Sequence, residues 1–388
     1  MNIKYFFYTI FFVSCNSMLA NIFYAPNVGP YFNGTNVLYG DSDTGAIVGE
    51  VTDLAGGTFN APAIIAVTPD GSKAYVTNSS GTTVSVIDVA DNMVTQTVYD
   101  PSGTIQAPFG VAFTSDGSKA YVTNGNNSVS VIDVADNMVT QIVADGNFTD
   151  PSPVVFTPDG QYAYVLNDYS VSVIDVANNT VIGTNGGFVI DLTSTFSGPS
   201  GIAFTLDGQY AYVVNTYGDS VSIVNVLATA NIAANTVIGT VADSNPPTFN
   251  APSSIAITHD GSKAYVTNYG DGSGTTVSVI DIPENITESM VTGTVLNGNF
   301  LVPLTVILTP DGQYAYVVNA EGGLEQDGSI SIVQVSNDTV ISANSGVVIP
   351  DPSYPFNYPF YLTFVPNSLI PANISAFATR LIQKYGKA

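Results

Sequence analysis

The sequence predicts an all-β fold, a seven-bladed β-propeller with four-stranded blades. Three observations carry this prediction. A unit with three strand-like runs recurs along the chain. Its copies are 43 to 53 residues apart, counted between the turn aspartates Asp70, Asp116, Asp159, Asp207, Asp260 and Asp311. Each copy is also preceded by one further apolar run, which adds a fourth strand.

The unit at residues 69–98 reads PDGSKAYVTNSSGTTVSVIDVADNMVTQTV. Its runs are rich in Val, Ile, Tyr and Thr, residues that suit pleated surfaces, and they are separated by Gly, Asp and Asn turns. The run 84–89 is nearly continuous in apolar residues, which is typical of a strand covered on both faces. The apolar run before each PDG-type turn, such as 64–68, is predicted to be the innermost strand of its blade.

A pentapeptide signature marks the second strand of each copy. It occurs as AYVTN at 74–78, 120–124 and 264–268, as AYVLN at 163–167, and as AYVVN at 211–215 and 315–319. These motifs resemble the YVTN β-propeller repeat family of surface-layer and other secreted proteins, over residues 21–367. The resemblance implies the propeller fold and implies no particular activity.

The two ends of the repeat region complete one blade. Residues 21–27 (NIFYAPN) and 36–51 match the second to fourth strands of a unit, and no first strand precedes them. Residues 359–367 (PFYLTFVPN) match the missing first strand. Pairing them would cover edges that an open array exposes. We therefore predict six complete blades and one composite blade within a domain at 21–367.

Two segments lie outside this domain. Residues 1–20 have one lysine and a short apolar run that ends in small and polar residues, which predicts a signal peptide and an exported protein, periplasmic, at the cell surface or secreted. A lipid anchor at Cys15 is the alternative. Residues 368–388 are basic, with apolar residues at helical spacing, and predict a short amphipathic C-terminal helix. This helix would dock on the propeller or contact a membrane surface.

The charge distribution restricts the partners. Residues 21–367 contain all 31 acidic residues and three lysines, a net charge of −28 with His259 neutral. Nucleic acid is therefore excluded as a partner, because phosphate binding needs a basic surface. Calcium is the one ion that this composition permits. Residues 41–45 (DSDTG) alternate oxygen ligands, but they lack a later bidentate acid and fit a turn better, so no cofactor is predicted.

Residues able to perform catalysis are scarce. Between 21 and 367 there is one histidine, His259, and there is no arginine or cysteine. Zinc and haem sites of the usual kind are therefore not expected. Seven-bladed lactonase-like propellers are the enzymes of this general kind, and that resemblance implies chemistry with Arg, His and acids. The favoured interpretation is a monomeric, non-catalytic scaffold for a protein or carbohydrate partner. The alternative is a carboxylate-dependent hydrolase or lactonase-like enzyme with its site at the channel mouth.

The two ends of the blades differ in their loops. At the uniform face lie the turns between strands 1 and 2 and between strands 3 and 4, which vary little. At the variable face lie the loops between strands 2 and 3 and the connections between blades, which vary greatly and are where binding is expected. The candidate binding residues on the variable face are Asp100, Asp145, Phe148, Asp150, Asp168, Tyr169, Phe188, Asp191, Tyr217, Asp219, Phe249, Tyr269, Asp271, Glu321, Tyr354 and Tyr358.

Overall fold

A computed structural model describes the chain at residues 22–27, 36–40, 47–53, 56, 58–144, 148–182, 189, 195–226, 235–243, 247–295, 300–320, 328–341, 347–348 and 361–365. These residues form seven four-stranded antiparallel sheets arranged in a ring. The predicted seven-bladed β-propeller is therefore confirmed. The predicted signal peptide at 1–20 and the predicted helix at 368–388 lie outside the described residues. No helix in the described ranges is both long and apolar enough to cross a bilayer.

The strands in chain order are β1 (Phe23–Asn27), β2 (Asn36–Gly40), β3 (Ile47–Glu50), β4 (Pro62–Val67), β5 (Lys73–Asn78), β6 (Val84–Asp88), β7 (Met93–Thr97), β8 (Pro108–Phe113), β9 (Lys119–Asn124), β10 (Ser128–Asp133), β11 (Met138–Ala144), β12 (Val154–Phe156), β13 (Tyr162–Leu166), β14 (Val171–Asp175), β15 (Thr180–Val181), β16 (Pro199–Phe204), β17 (Tyr210–Asn215), β18 (Ser220–Asn225), β19 (Thr236–Thr240), β20 (Pro252–Ile257), β21 (Lys263–Asn268), β22 (Thr276–Asp281), β23 (Met290–Thr294), β24 (Pro303–Leu308), β25 (Tyr314–Asn319), β26 (Ser329–Gln334), β27 (Thr339–Val340), β28 (Val347–Val348) and β29 (Thr363–Phe364). Short 3-10 helices lie at Thr216–Gly218, Gly270–Gly272 and Ile286–Glu288.

Blades 1 to 6 take consecutive strands, four each, from β4–β7 to β24–β27. The short strand β28 also pairs with β26 in blade 6. Blade 7 has the order β29-β1-β2-β3, with Phe23 opposite Phe364 in the antiparallel register. This pairing confirms the predicted composite blade. It joins the two ends of the repeat region, so neither is left as an exposed sheet edge.

The turn after each innermost strand is held by one threonine and one aspartate. The Thr68 hydroxyl donates to the Asp70 carboxylate at 2.6 Å and accepts the Lys73 amide at 3.0 Å. Gly71 has φ of 73°, which glycine adopts without steric cost. In blade 2 the hydrogen bonds from the Thr114 hydroxyl and the Ser118 amide hold the pKa of Asp116 below its ordinary value. The same turn recurs in blades 1 to 6, which makes this face uniform.

A second recurrent aspartate ends the third strand of several blades. Asp88 accepts the backbone N–H of Ala90 at 2.8 Å, and Asp133 accepts that of Ala135 at 2.9 Å. These bonds, with that from the Asn178 amide to Asp175, confirm for Asp88, Asp133 and Asp175 the interpretation that the VIDV aspartates cap turn amides. Strands 2 and 3 are buried on both faces, as in β6, whereas the outermost strand β7 is partly exposed. The core therefore lies between neighbouring sheets.

Adjacent blades are joined by the tyrosine of the YVTN signature. The ring of Tyr75 contacts Phe113 of the next blade's innermost strand edge-on, with centroids 4.9 Å apart. Its hydroxyl donates to Asn137, in the next blade's outer turn. Equivalent bonds join Tyr24 to Asn92, Tyr121 to Asn179, Tyr164 to Asn235, Tyr212 to Ser289 and Tyr265 to Asp338. The hydroxyl of a strand residue thus fixes one blade against the next at these six junctions.

Candidate functional site

The innermost strands begin at the variable face with an unusual backbone conformation. In blades 1 to 6 the residue before the proline that leads into that strand has a positive φ. The values are 50° at Ala61, 44° at Ala107, 52° at Asp150, 61° at Gly198, 40° at Ala251 and 55° at Val302. Only one of these residues is glycine, and Val302 is β-branched. Such conformations cost about 1 to 3 kcal/mol and cluster at functional sites.

Hydrogen bonds from the preceding blade hold these positions. The amide of Ala107 donates to the Gly81 carbonyl at 2.9 Å, and that of Val302 donates to the Gly274 carbonyl at 2.8 Å. In blade 5 the acceptor is a side chain, because the Ala251 amide donates to the Asp219 carboxylate at 2.6 Å. The loops between strands 2 and 3 therefore position the start of the next innermost strand. Asp219 serves this purpose even though its side chain is exposed.

The connections between blades are less variable than their sequences suggest. Asp100 accepts the Ile105 amide at 2.7 Å, and Asp243 accepts the Thr248 amide at 2.9 Å. Asp53 accepts the Thr58 amide at 2.9 Å in the same way. These three aspartates occupy one position after the outermost strand and fold the loop that follows. The recurrence of Asp five residues before a Thr or Ile was the sequence signal for this role.

Several aromatic candidates are buried. Phe148 is 1% exposed, Phe249 4% and Tyr269 8%. Phe148 and Phe249 share one loop position with other buried residues, namely Phe59, Ile105, Phe196 and Phe300. Their rings pack beneath the loops and are not available to a partner on the surface. Alignment of the inter-blade loops, in place of the strands alone, would have found this position.

The other candidates divide into three groups. Tyr169 and Tyr217 are 61% and 49% exposed. Asp150 and Asp168 are partly exposed, and Asp271 is exposed. The remaining candidates lie outside the described residues, and they are Asp145, Phe188, Asp191, Glu321, Tyr354 and Tyr358.

Four candidates lie together where blades 3 and 4 meet. The Asp168 amide donates to the Thr149 carbonyl at 3.0 Å, which places Asp168 and Tyr169 beside Asp150. The Gly198 amide donates to the Asp168 carbonyl at 3.1 Å. Tyr217 follows, because its amide donates to the Ser197 carbonyl at 3.0 Å. We call this group, Asp150, Ser152, Asp168, Tyr169, Gly198 and Tyr217, the blade 3–4 site.

Tyr217 lies directly against the start of the innermost strand of blade 4. A Cβ placed on Gly198 would lie 2.3 Å from the Tyr217 ring, so only glycine leaves room for the ring there. Gly198 also has φ of 61°. Half of the tyrosine side chain nevertheless faces solvent. Such a ring offers a flat apolar surface beside polar groups, a common anchor for ligands.

A buried serine lies under the site. Ser152, two residues after Asp150, is 2% exposed, and its hydroxyl has no hydrogen-bond partner in the described parts of the chain. The corresponding serines of blades 4 and 5 are paired. Ser200 donates to the Ser253 carbonyl at 3.1 Å and Ser253 donates to the Leu304 carbonyl at 2.8 Å. Buried hydroxyls are seldom unpaired, so the surroundings of Ser152 differ from those of Ser200 and Ser253.

The basic residues and the histidine lie elsewhere. Lys73, Lys119 and Lys263 begin β5, β9 and β21, at the uniform face. His259 lies against Gly312 in the next blade's turn, also at the uniform face. Among the described residues no group of three or more His, Cys, Asp or Glu side chains could hold a metal ion. The calcium-like segment 41–45 is outside those residues.

The sequence matches a known protein family over part of its length. A family model described as "Lactonase, 7-bladed beta-propeller" matches residues 189–342, which contain blades 4, 5 and 6. No curated protein matches the sequence significantly.

Solved structures share the fold at low sequence identity. A protein from Bacteroides fragilis named as a candidate 6-phosphogluconolactonase is 18% identical, with 91% of this chain and 99% of that chain covered and a TM-score of 0.66. The periplasmic gluconolactonase of Pseudomonas aeruginosa is 18% identical, with 90% and 99% covered and a TM-score of 0.66. The hydrazine synthase of Kuenenia stuttgartiensis is 21% identical, with 78% and 90% covered and a TM-score of 0.62. At these identities the likeness shows the fold.

The family match corrects the sequence-based interpretation of function. A non-catalytic scaffold was the favoured interpretation, and it is wrong because three blades match a family described as lactonases. The error lay in treating the lack of Arg, Cys and a second His as a lack of catalytic capacity. Carboxylates alone can activate water, and this chain has many of them.

Proposed function

We propose that this protein is a hydrolase that opens lactones at the blade 3–4 site on its variable face. The lactonase family match over residues 189–342 carries the proposal. The clustering of two aspartates and two exposed tyrosines where blades 3 and 4 meet supports the position of the site. The names of the Bacteroides and Pseudomonas structures point to the same substrate class.

The proposed reaction adds one water to a cyclic ester. The oxygen of the water attacks the lactone carbonyl carbon while a carboxylate accepts a proton from that water. The bond from that carbon to the ring oxygen then breaks, and the ring oxygen receives the proton. The product is an open-chain hydroxy acid, ionised at neutral pH. General-base assistance of this kind is worth about 100-fold to 10,000-fold in rate.

Asp150 is our candidate for the general base. It is the one acidic residue among the six residues with positive φ that precede the innermost strands of blades 1 to 6. Its backbone amide donates to Asn127 of the preceding blade at 2.9 Å, which fixes the main chain that carries the carboxylate. A base whose main chain is held by such a hydrogen bond keeps its geometry better than one in a mobile loop. Tyr217 would hold the substrate ring by its exposed face.

The test measures acid release by the purified protein. The substrates are glucono-δ-lactone and an aliphatic γ-lactone, each compared with spontaneous hydrolysis. We expect Asp150→Asn to lower kcat by about 100-fold. Asn tolerates the same positive φ, so the fold is preserved. The matched control is Asp136→Asn, an exposed aspartate at the uniform face, with unchanged kcat. A wild-type rate equal to the spontaneous rate would disprove the function. An active Asp150→Asn enzyme would disprove only the role of Asp150.

We also propose that the protein is exported. The sequence of residues 1–20 and the resemblance to the YVTN propellers of secreted proteins support this location, as does the periplasmic location named for the Pseudomonas protein. Fractionation of cells that produce the full chain tests it. Recovery from the cytoplasm at full length would contradict export.

A further inference from the structure

The charged residues that the structure describes at the variable face are all acidic. In the described part of the chain, the loops between strands 2 and 3 and the segments that lead into the innermost strands carry Asp150, Asp168, Asp219 and Asp271 at this face. The lysines of the propeller, Lys73, Lys119 and Lys263, all begin second strands at the opposite face. The sequence of residues 21–367 contains no other lysine and no arginine. A negatively charged substrate would therefore find carboxylates and no propeller lysine at the blade 3–4 site.

Two of the lysines are also held in place at the uniform face. The Lys73 ammonium donates to the Val134 carbonyl at 2.8 Å. The Lys263 ammonium pairs with the Asp338 carboxylate at 2.6 Å. Both contacts cross from one blade to the next. These cations support the ring and do not turn towards the variable face.

We infer that the site selects uncharged lactones and excludes phosphorylated ones, an inference that rests on the proposed lactone hydrolysis. A phosphate monoester brings close to two negative charges. Fields from several like charges around one opening change encounter rates by about tenfold or more. The two lactonase names among the similar structures differ in this one feature, a phosphate group. The charge of this chain favours the unphosphorylated substrate.

The negative electrostatic field of these aspartates also acts on the product. Hydrolysis converts an uncharged lactone into a carboxylate, so the bound molecule gains one negative charge. Repulsion from the surrounding aspartates then favours release. Weak product inhibition is expected as a consequence, and the inhibition should strengthen when salt screens the aspartates.

The experiment compares kcat/KM for glucono-δ-lactone and for its 6-phosphate at low salt and at about 1 M salt, where the Debye length is about 3 Å. At low salt we expect the uncharged lactone to be preferred by about tenfold or more. At high salt the ratio should fall severalfold. Equal or greater activity on the phosphate ester would overturn the inference while leaving lactone hydrolysis intact. Activity on neither lactone would instead count against the proposed function.

A charge variant with a matched control completes the test. Asp219→Asn with Asp271→Asn removes two charges from the variable face, and Asn keeps both the positive φ of these residues and the acceptor for the Ala251 amide. We expect relative activity on the phosphate ester to rise severalfold. Asp91→Asn with Asp136→Asn removes two charges from the uniform face and should leave the ratio unchanged. If both pairs of substitutions changed the activity ratio equally, the net charge of the protein would determine the selectivity. The assignment to the variable face would then be wrong.

The basic C-terminal segment is tested separately. Arg380, Lys384 and Lys387 lie outside the described residues. Replacing all three by Gln should leave the preference for the uncharged lactone unchanged. A loss of that preference would show that the segment governs selectivity and would contradict the assignment to the variable face.

Discussion

The hydroxyl of Tyr75 donates a 2.5 Å hydrogen bond to the side-chain oxygen of Asn137 in the next blade. Asn137 is 6% exposed and has φ of 49°, so both residues are fixed by their surroundings. The tyrosine comes from the signature strand of one blade and the asparagine from the outer turn of the next. The tyrosine of the YVTN signature therefore joins neighbouring blades in addition to forming part of a strand.

Tyr75→Phe is predicted to destabilise the protein by about 1 to 2 kcal/mol, because it leaves the buried Asn137 oxygen with a weaker set of partners. Lys73 also donates to that oxygen, at 3.3 Å, which limits the loss. Urea unfolding measures the change. The control is Tyr169→Phe, which removes a hydroxyl from a side chain that is 61% exposed and should change stability by less than about 0.5 kcal/mol. Equal stability of the two variants would contradict the importance of the Tyr75 bond.

Stability is predicted to fall in alkaline solution. Burial, with a smaller contribution from the Asp175 charge, raises the pKa of Tyr121 to about 12, and burial raises the pKa of Tyr212 to about 12. The folded state thus holds these phenols protonated. Their contribution is complete below pH 10, the ordinary tyrosine value, and is lost as the pH rises from 10 to about 12.

The check is the urea midpoint measured across that pH range, together with tyrosinate absorbance. Tyr121→Phe removes one of the titrating groups. Its stability should therefore decline less steeply with pH, by up to about 1.4 kcal/mol per pH unit. Parallel curves for the wild type and the variant would contradict the raised pKa of Tyr121.

Gly312→Ala is predicted to destabilise the protein by about 1 to 2 kcal/mol. Gly312 has φ of 68°, and a Cβ would lie 2.8 Å from Nδ1 of His259. The control is Gly239→Ala in β19, where nothing lies within 4 Å of an added Cβ, and its stability should be unchanged or rise by up to about 1 kcal/mol. His259→Ala combined with Gly312→Ala should recover part of the loss. Full additivity of the two changes would rule out a steric conflict.

Phe249→Ala and Tyr217→Ala are predicted to separate folding from binding. Phe249 is 4% exposed, and its truncation should cost about 3 to 5 kcal/mol of stability. Tyr217 is 49% exposed, so its truncation should cost about 1 kcal/mol or less and should raise KM for the lactone. Thermal unfolding and steady-state kinetics measure the two effects. An unchanged KM for Tyr217→Ala would remove Tyr217 from the proposed site.

The repeat pattern was sufficient for the fold. Spacing of the turn aspartates predicted the blades, and the matching of 21–27 with 359–367 predicted the composite blade that Phe23 and Phe364 form. Both follow from local chemistry, since turn residues and β-rich runs act within one blade. The sequence pattern was also sufficient for the number of blades and the closure of the ring. The strand at the end of the repeat region has to pair with the strand at its beginning, because otherwise both would be left as exposed edges.

The site depended on contacts between blades. Phe148 and Tyr217 are both aromatic loop residues in the sequence, yet one is buried and the other lies exposed against Gly198. Asp100 and Asp150 are both loop acids, yet Asp100 folds its own loop while Asp150 has a positive φ and is bonded through its amide to the preceding blade. The sequence by itself determined the strands, the turns and the order of the blades, because these arise from neighbours in the chain. Only the tertiary structure decided which side chains meet at the variable face, because the partners that bury or expose them come from adjacent blades.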